Sequence, residues 1–143
     1  MLRALLLLLI LIATPVAFLA TPAAAEHTVY YRYVVLGFVK DAKGTPLSGR
    51  DVDVVRTKTG LTYPGRTDEQ GLFVIVVRLG DESAGETLTV RVGQAQTTVV
   101  ARFDPADHTH DRGTRVDLDG ARFSERTSAF QPTLARFVGD TRH

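Results

Sequence analysis

A short acidic and histidine-containing segment holds the densest set of residues that could bind a metal ion. It reads Asp104-Pro105-Ala106-Asp107-His108-Thr109-His110-Asp111. If this segment is extended, His108 and His110 point to the same side, because side chains two positions apart share one face of a strand. Imidazole and carboxylate groups are suitable ligands for Zn(II) and Cu(II). The segment therefore predicts a metal site that contains Asp107, His108 and His110.

His27 is a further candidate ligand for the same ion. It would lie second from the N-terminus that cleavage after Ala25 creates, where an amine and an imidazole can chelate an ion together. This arrangement resembles that of small periplasmic copper carriers, although their histidine is first rather than second and the only methionine here is Met1. The alternative interpretation is a solvated loop whose aspartates and histidines pair with Arg102 and Arg112.

Three tyrosines within the first predicted strand form a second candidate surface. Tyr31 and Tyr33 lie on one face of that strand, and Tyr30 lies on the other. Outward-facing rings could stack on a sugar or pack against a partner protein. The same rings are equally compatible with a hydrophobic core, so both interpretations stay open at this point.

The sequence does not predict catalysis or nucleic-acid binding. It contains no cysteine, which excludes disulfides, thiolate metal sites and a cysteine nucleophile. The serines after the leader are Ser48, Ser83, Ser124 and Ser128, and none lies in a Gly-x-Ser-x-Gly motif. The 17 Lys and Arg residues are almost balanced by 16 Asp and Glu residues, so the chain lacks the positive charge that binding a nucleic-acid phosphate backbone requires. We therefore expect a protein that is not an enzyme and that needs no cofactor, apart from the metal ion considered above.

Residues 1–25 have the features of a secretory signal peptide. Arg3 precedes an apolar run rich in leucine, and Ala23-Ala24-Ala25 supplies the small residues that a signal peptidase needs. We predict cleavage after Ala25 and a periplasmic or secreted protein, with an uncleaved anchor as the alternative. After Ala25 no segment approaches the ~20 apolar residues that a membrane span requires. The abundance of Ala and Arg, with few Lys, suggests a bacterial cell envelope.

Residues 26–119 are predicted to form one all-β domain. Stretches of alternating apolar and polar residues are separated by turns rich in Gly, Asp and Pro at a spacing of about ten residues. The predicted strands cover 29–39, 51–54, 62–67, 72–79, 87–92, 95–103 and 114–118. This pattern indicates a seven-stranded antiparallel β-sandwich of the immunoglobulin or transthyretin type, with a small barrel as the alternative. The stretch 72–79 is apolar enough to predict a central strand.

Residues 120–143 are predicted to be a C-terminal tail with a different pattern. Phe123, Phe130 and Phe137 are seven residues apart. Such a tail either packs its aromatic rings onto the domain or stays mobile. A single helical turn that Pro132 opens and Gly139 closes is the alternative.

The turns of the domain resemble those of a known family. The relevant stretches are Gly37-Phe38-Val39, Asp41, Gly44-Thr45-Pro46-Leu47-Ser48-Gly49, Val52-Asp53-Val54 and Thr67-Asp68-Glu69-Gln70-Gly71-Leu72-Phe73. Over about residues 33 to 103 they resemble the carboxypeptidase regulatory-like family, whose members are transthyretin-like sandwiches. In physical terms we expect positive φ at Gly44 and Gly71, a turn capped by Asp68, and Phe73 in the core.

The resemblance implies a fold much more than a function. Domains of this family are attached to peptidases, outer-membrane receptors and adhesins alike. We therefore expect a non-catalytic binding or scaffolding module of the cell envelope, with a protein or glycan partner. The alternatives are a periplasmic Cu(II) or Zn carrier that uses His27 and the 104–111 loop, and a carbohydrate-binding module.

Overall fold

The computed structural model describes residues 32–140 of the chain. The predicted leader and its cleavage site, His27, Tyr30 and Tyr31 lie outside these residues, as do residues 141–143. The predictions made for them stay predictions.

Eight strands and one α-helix make up the described part of the chain. The strands are β1 (Tyr33–Lys40), β2 (Asp51–Arg56), β3 (Thr62–Arg66), β4 (Leu72–Val77), β5 (Thr87–Val92), β6 (Ala95–Val100), β7 (Gly113–Asp119) and β8 (Arg122–Glu125). Helix α1 covers Phe130–Asp140, and short 3-10 turns lie at Asp81–Ser83 and Thr127–Ala129. None of the helices between residues 32 and 140 combines the length and the apolar composition that crossing a membrane requires.

The strands form two four-stranded sheets that pack face to face. The first sheet has the order β4-β1-β7-β8, and the second has the order β3-β2-β5-β6. The mostly β architecture agrees with the sequence prediction, but two details differ. There are eight strands rather than seven, and β1 pairs with β7 in parallel whereas every other strand pair is antiparallel. The parallel pair brings the first and seventh strands together, a long-range pairing that no local sequence pattern specifies.

The additional strand is β8, which lies in the segment predicted as tail. It forms a hairpin with β7 in which Leu118 lies opposite Phe123. The turn of this hairpin contains Gly120, whose φ is +64°. The domain boundary predicted after residue 119 therefore falls inside a hairpin turn. The prediction missed β8 because the strand is only four residues long and mostly polar.

The main core lies between the two sheets and follows the alternation of the strands. Its buried members are Tyr33, Val35, Val39, Val52, Val54, Phe73, Ile75, Val77, Leu79, Leu88, Val90, Val92, Val99, Ala101, Val116 and Leu118. Phe73 is buried, as predicted. The intervening residues of the second sheet, such as Asp51 and Thr98, face solvent.

A second, smaller core lies on the outer face of the first sheet. Helix α1 packs Phe130 and Leu134 against Val34 and Leu36 of β1, with Phe137 beside them. The predicted single helical turn in the tail is therefore a helix of 11 residues, Phe130–Asp140. Pro132 lies in the first turn of this helix, where its missing N–H costs no hydrogen bond.

Strand β4 is an edge strand, so the prediction of a central strand was wrong. Among the strands of residues 32–140, its only partner in the sheet is β1. The strand is apolar because one face meets the opposite sheet through Phe73 and Ile75, while Val74 on the other face packs at the core beneath α1. An apolar run reports side-chain burial, here of one face and of part of the other, and it does not report hydrogen bonding on both edges.

The turn before β4 has the predicted geometry. Asp68 Oδ1 accepts the N–H of Gln70 at 2.8 Å and the N–H of Leu72 at 2.9 Å. Gly71 has φ of +78°, and a Cβ atom there would lie 2.5 Å from the carbonyl oxygen of Val39. Glycine is therefore required at this position both by the backbone conformation and by the space available.

Candidate functional site

The 104–111 loop is coiled rather than extended, and this separates the two predicted histidine ligands. Asp107 Oδ1 accepts the N–H groups of Thr109 at 2.9 Å and His110 at 3.2 Å, which closes a tight turn. The His110 ring then pairs with Asp107 Oδ2 at 2.7 Å. The His108 ring pairs instead with Asp81 Oδ2 at 3.0 Å, in the 3-10 turn after β4.

The metal site predicted from Asp107, His108 and His110 is therefore not assembled by this loop. Within residues 32–140, no group of three or more His, Asp or Glu side chains is placed to hold a metal ion. The prediction required both rings on one face of an extended segment, but the short aspartate side chains bond to the local backbone and coil the loop. His27, the remaining proposed ligand, lies outside the described residues.

A buried arginine anchors this end of the sandwich. The Arg112 guanidinium lies 4.3 Å from the centre of the Phe103 ring and forms an ion pair with Asp81 at 2.8 Å. It also donates to the carbonyl oxygens of Pro105 at 3.3 Å and Asp107 at 3.1 Å. Arg112 thus ties the loop to the 3-10 turn, which explains the aspartates and histidines here as a structural network.

Both carboxylates that bind the histidines are held in the ionised form. Hydrogen bonds from Arg112 and His108 lower the pKa of Asp81. Hydrogen bonds from Thr109, and then from His110, hold the pKa of Asp107 well below its usual range. A carboxylate that stays ionised across the physiological pH range is a poor proton donor, so neither residue fits the role of a general acid.

Tyr33 does not belong to an exposed aromatic surface. Its side chain is buried in the main core, where its ring lies 6.0 Å from that of Phe103. Burial, reinforced by the charge of Glu125, raises the pKa of its hydroxyl to about 12. The partner-binding role predicted for Tyr33 is therefore wrong. Strand alternation alone did not specify which face of β1 turns inward, because α1 and the second sheet bury both.

One serine lies within a charged cluster, but the cluster has the character of a structural ion pair. Arg56 donates to Glu86 through Nε and Nη2, each at 2.7 Å, and also to Ser83 Oγ at 3.1 Å. The Arg56 guanidinium lowers the pKa of Glu86 to about 2, so its carboxylate stays ionised. Ser83 Oγ accepts from Arg56, and its hydroxyl also hydrogen-bonds to the Glu86 carboxylate, whose pKa it helps to lower, so the serine is part of the ion-pair network.

A cleft beside helix α1, which the sequence did not single out, is a candidate binding site. Its volume is about 530 Å³. The walls come from β1, from the turn before β4 with the first residue of that strand, and from α1. The lining residues are Phe38, Asp68, Glu69, Gln70, Leu72, Thr133, Arg136 and Phe137.

The floor of this cleft is held rigidly by hydrogen bonds. The Arg115 guanidinium lies 4.8 Å from the centre of the Phe38 ring. It donates to both oxygens of the buried Asp117 at 2.9 to 3.2 Å and to Thr133 Oγ1 at 3.0 Å. Asp117 Oδ1 also accepts the backbone N–H of Phe38 at 3.0 Å. Because β1, β7 and α1 are linked through these side chains, the half-buried Phe38 ring is preorganised.

The rim of the cleft carries opposite charges on its two sides. Glu69 lies in the turn before β4, and Arg136 lies on α1. Both are exposed, and within residues 32–140 neither forms an ion pair. Asp68, also at the rim, caps its own turn. The cleft can therefore hold an apolar group on Phe38, Leu72 and Phe137 and still meet charges of either sign at its edges.

The sequence did contain one signal for this cleft. Phe130, Leu134 and Phe137 follow the spacing i, i+4, i+7 of an amphipathic helix. Extending that period would have predicted a helix whose apolar stripe must cover part of the sandwich. The position of the cleft would still not follow, because it depends on where α1 docks.

Comparisons with known proteins add little to this geometry. No protein-family model matches the chain, and no curated protein matches it. Among solved structures, a 9R-lipoxygenase from Cyanothece PCC8801 aligns with 67% of this chain at 18% sequence identity and a TM-score of 0.35. The aligned region is 19% of that lipoxygenase chain. A likeness at this TM-score carries no argument about fold or activity.

Proposed function

We propose that this protein is an exported, non-catalytic binding module of the bacterial cell envelope. Its partner is a peptide segment of another envelope protein, which it binds in the cleft between α1 and the turn before β4. The observation that carries the proposal is the cleft itself, with its apolar floor of Phe38, Leu72 and Phe137 and the charges of Glu69 and Arg136 at its rim.

The sequence supports the cellular part of the proposal. Residues 1–25 resemble a signal peptide, and the turns between about residues 33 and 103 resemble those of carboxypeptidase regulatory-like domains. Modules of that transthyretin-like or immunoglobulin-like kind carry binding surfaces on loops and edges. The sequence has no nucleophile motif. The carboxylate of Asp117 already accepts hydrogen bonds from Phe38 and Arg115, which supports a structural role for it and a function without catalysis.

The chemistry of the cleft favours a peptide over a glycan. Sugar sites usually present an exposed aromatic ring face, whereas Phe38 already has Arg115 stacked on its ring. A peptide can place an apolar side chain on the floor, a carboxylate near Arg136 and a cation near Glu69. Such contacts combine an apolar anchor with charge complementarity.

Photo-crosslinking in living cells tests the proposal. A photoreactive amino acid at Arg136 should yield one discrete adduct with an envelope protein, whereas the same amino acid at Gln96 on β6 should not. A Phe137→Ser change in the Arg136-labelled chain should lower the adduct yield several-fold, because it removes part of the apolar floor. An adduct of the same mass from both positions, or no adduct from Arg136 other than one between two copies of this chain, would contradict the proposal.

A further inference from the structure

The outer edge of β4 has backbone groups that nothing in the described part of the chain satisfies. Val34 and Leu36 of β1 lie opposite Val76 and Val74 of β4. The N–H of Val34 donates to the carbonyl of Arg112, away from β4, at 2.8 Å. In an antiparallel pair, opposite residues alternate between pairs that exchange hydrogen bonds and pairs that do not. Because the N–H of Val34 points away from β4, the Val34–Val76 pair exchanges none, and the same holds two residues along for Leu36 and Val74. The N–H and C=O groups of Val74 and Val76 therefore point outward.

The open part of this edge is short and well defined. The backbone N–H and C=O of Leu72, the next outward position, already bond to Asp68 at 2.9 Å each. Within residues 32–140, Val74 and Val76 make no such bonds. The available edge therefore consists of these two valines.

Strand β4 also lacks the features that protect edge strands from pairing. Its sequence, LFVIVV, contains no charge and no proline. By contrast, the edge strand β3 contains Pro64 and Arg66, and the edge strand β8 contains Arg122 and Glu125. The remaining edge strand, β6, also lacks charges and prolines, but its sequence AQTTVV is more polar than that of β4. Charged residues and prolines of this kind discourage edge-to-edge association.

One exposed apolar side chain lies on β4, and another lies beside its neighbour β3. Val76 is 45% exposed, and Leu61, which directly precedes β3, is 53% exposed. These are the two most exposed large hydrophobic residues in the described part of the chain. Strands β3 and β4 form one side of the sandwich, in contact across the two sheets. An open edge beside exposed apolar groups is typical of an association surface.

The charges at the two ends of β4 are complementary under a two-fold rotation. Asp68 and Glu69 lie before the strand, and Arg78 directly follows it. Neither Glu69 nor Arg78 forms an ion pair within residues 32–140. When two copies of β4 run antiparallel, the basic end of each strand lies beside the acidic turn of the other.

We propose that the β4 edge joins two copies of this chain into a dimer. The strands pair antiparallel, with Val74 of each copy opposite Val76 of the other, so that the outward backbone groups of both valines are satisfied in both copies. Arg78 of each copy lies near the acidic turn of the other. The first sheet then continues across the dimer, and Glu69, at the rim of the cleft, also lies near Arg78 of the other copy.

A proline substitution tests the hydrogen bonds of this interface. Val76→Pro removes an N–H that points outward and leaves the ladder to β1 intact. The matched control is Thr98→Pro on the β6 edge, where the N–H also points outward because Thr98 and Thr89 form a non-bonded pair. Full-length genes are expressed, and light scattering during gel filtration measures the mass of each purified protein.

The unaltered protein and the Thr98→Pro variant should both have twice the mass of one chain. Val76→Pro should raise the dimer dissociation constant by about tenfold or more, which corresponds to about 1.4 kcal/mol. A single-chain mass for the unaltered protein at about 100 μM would overturn the proposal, since only dimers weaker than about −5.5 kcal/mol escape detection there. Equal dissociation constants for the unaltered protein and Val76→Pro would also overturn it.

A charge exchange tests the same interface without altering the strand. Arg78→Glu and Glu69→Lys should each weaken the dimer several-fold, because each places like charges together. The double variant should recover the affinity, because it restores opposite charges in the reversed order. A double variant no tighter than the single variants would contradict the antiparallel arrangement. A chain that stays monomeric but binds an added hydrophobic peptide along β4 would mean that the edge serves a different partner, and it would overturn the dimer.

Discussion

At the scale of single residues, the contact between β1 and β7 depends on one glycine and one buried aspartate. Residues 34–36 and 39–40 of β1 pair in register with β7, but Gly37 and Phe38 do not. Gly37 lies so close to β7 that a Cβ atom would be 1.6 Å from the carbonyl oxygen of Val116. Asp117 Oδ1 replaces the missing ladder partner of the Phe38 N–H at 3.0 Å. A side-chain acceptor thus completes the backbone hydrogen bonding of a buried strand.

Replacing Gly37 with alanine should therefore destabilise the protein strongly. The added methyl group meets backbone atoms that cannot rotate away, so β1 and β7 must separate. We expect the free energy of unfolding to fall by about 2 kcal/mol or more, toward the upper end of overpacking effects. Chemical denaturation followed by circular dichroism measures this change.

Gly139→Ala is the matched control for this substitution. Gly139 lies in α1, and a methyl group added there would have no atom of another element within 4 Å. Alanine favours a helix over glycine, so this variant should be more stable by about 0.5 to 1 kcal/mol. If Gly37→Ala had no larger effect than an ordinary surface change, the close approach of β1 to β7 would be contradicted.

At the scale of elements, α1 converts a sandwich with one core into a domain with two. Strand β1 contributes to both cores, since its odd-numbered residues face the second sheet and its even-numbered residues face α1. The helix is also fixed by polar contacts. Gln131 donates to the carbonyl of Asp111 at 2.7 Å, and Arg115 donates to Thr133 at 3.0 Å. The cleft exists only while this helix is docked.

Phe130→Ala should undock or loosen the helix. The Phe130 ring is 2% exposed and packs against Gly113, Val34 and Leu36. Removing such a ring from a core lowers the free energy of unfolding by about 3 to 5 kcal/mol, and the loss is smaller where neighbouring side chains move in to fill the cavity. Hydrogen exchange should show lost protection in α1 and in the β1 amides beneath it.

An exposed position on the same helix serves as the control. Ala135→Gln should change the free energy of unfolding by no more than about 0.5 kcal/mol, because the side chain points to solvent. If Phe130→Ala and Ala135→Gln had equal effects, the helix would not be packed as described.

At the scale of the whole molecule, charges are nearly balanced, with 17 basic and 16 acidic residues. Net charge repulsion is therefore small near neutral pH. Acid lowers the stability of the fold by protonating particular carboxylates. Glu86 is the clearest case, since its side chain is only 12% exposed and Arg56 lowers its pKa to about 2. This ion pair connects the end of β2 to the residue before β5.

Stability should consequently fall in acid. The pKa of Glu86 is lower in the folded than in the unfolded chain, so its contribution is complete above the unfolded value of 4.5 and is lost as the pH falls toward about 2. The contribution lost should be about 1 to 3 kcal/mol, since the pair is only partly removed from water. Denaturation at about pH 6 and about pH 3 measures the total change, to which other carboxylates also contribute.

Variants isolate the contribution of Glu86. Arg56→Met removes the cation that lowers this pKa, so the fall in stability between the two pH values should become smaller. Arg66→Met is the control, because Arg66 and its partner Asp51 are 69% and 80% exposed and their pair contributes little. An unchanged pH dependence in Arg56→Met would show that this ion pair does not link folding to protonation.

The local parts of this structure followed from the sequence. The alternation of Val52 and Val54 with polar neighbours located β2, and a similar pattern located β5 and β6. The turn geometry at Asp68 and Gly71 was also predictable, because a turn is specified by the few residues within it. The burial of Phe73 followed for the same reason, as the first inward position after that turn.

What only the tertiary structure decided is how these elements meet. The order of strands made β4 an edge although its composition suggested a centre, and it placed β7 parallel to β1. The docking of α1 buried the outward face of β1 and formed the cleft. In the same way, the coiled loop turned His108 toward Asp81 and His110 toward Asp107. Periodicity and turn residues act over a few positions, whereas strand order, helix docking and ligand convergence depend on contacts between distant segments, which no local pattern encodes.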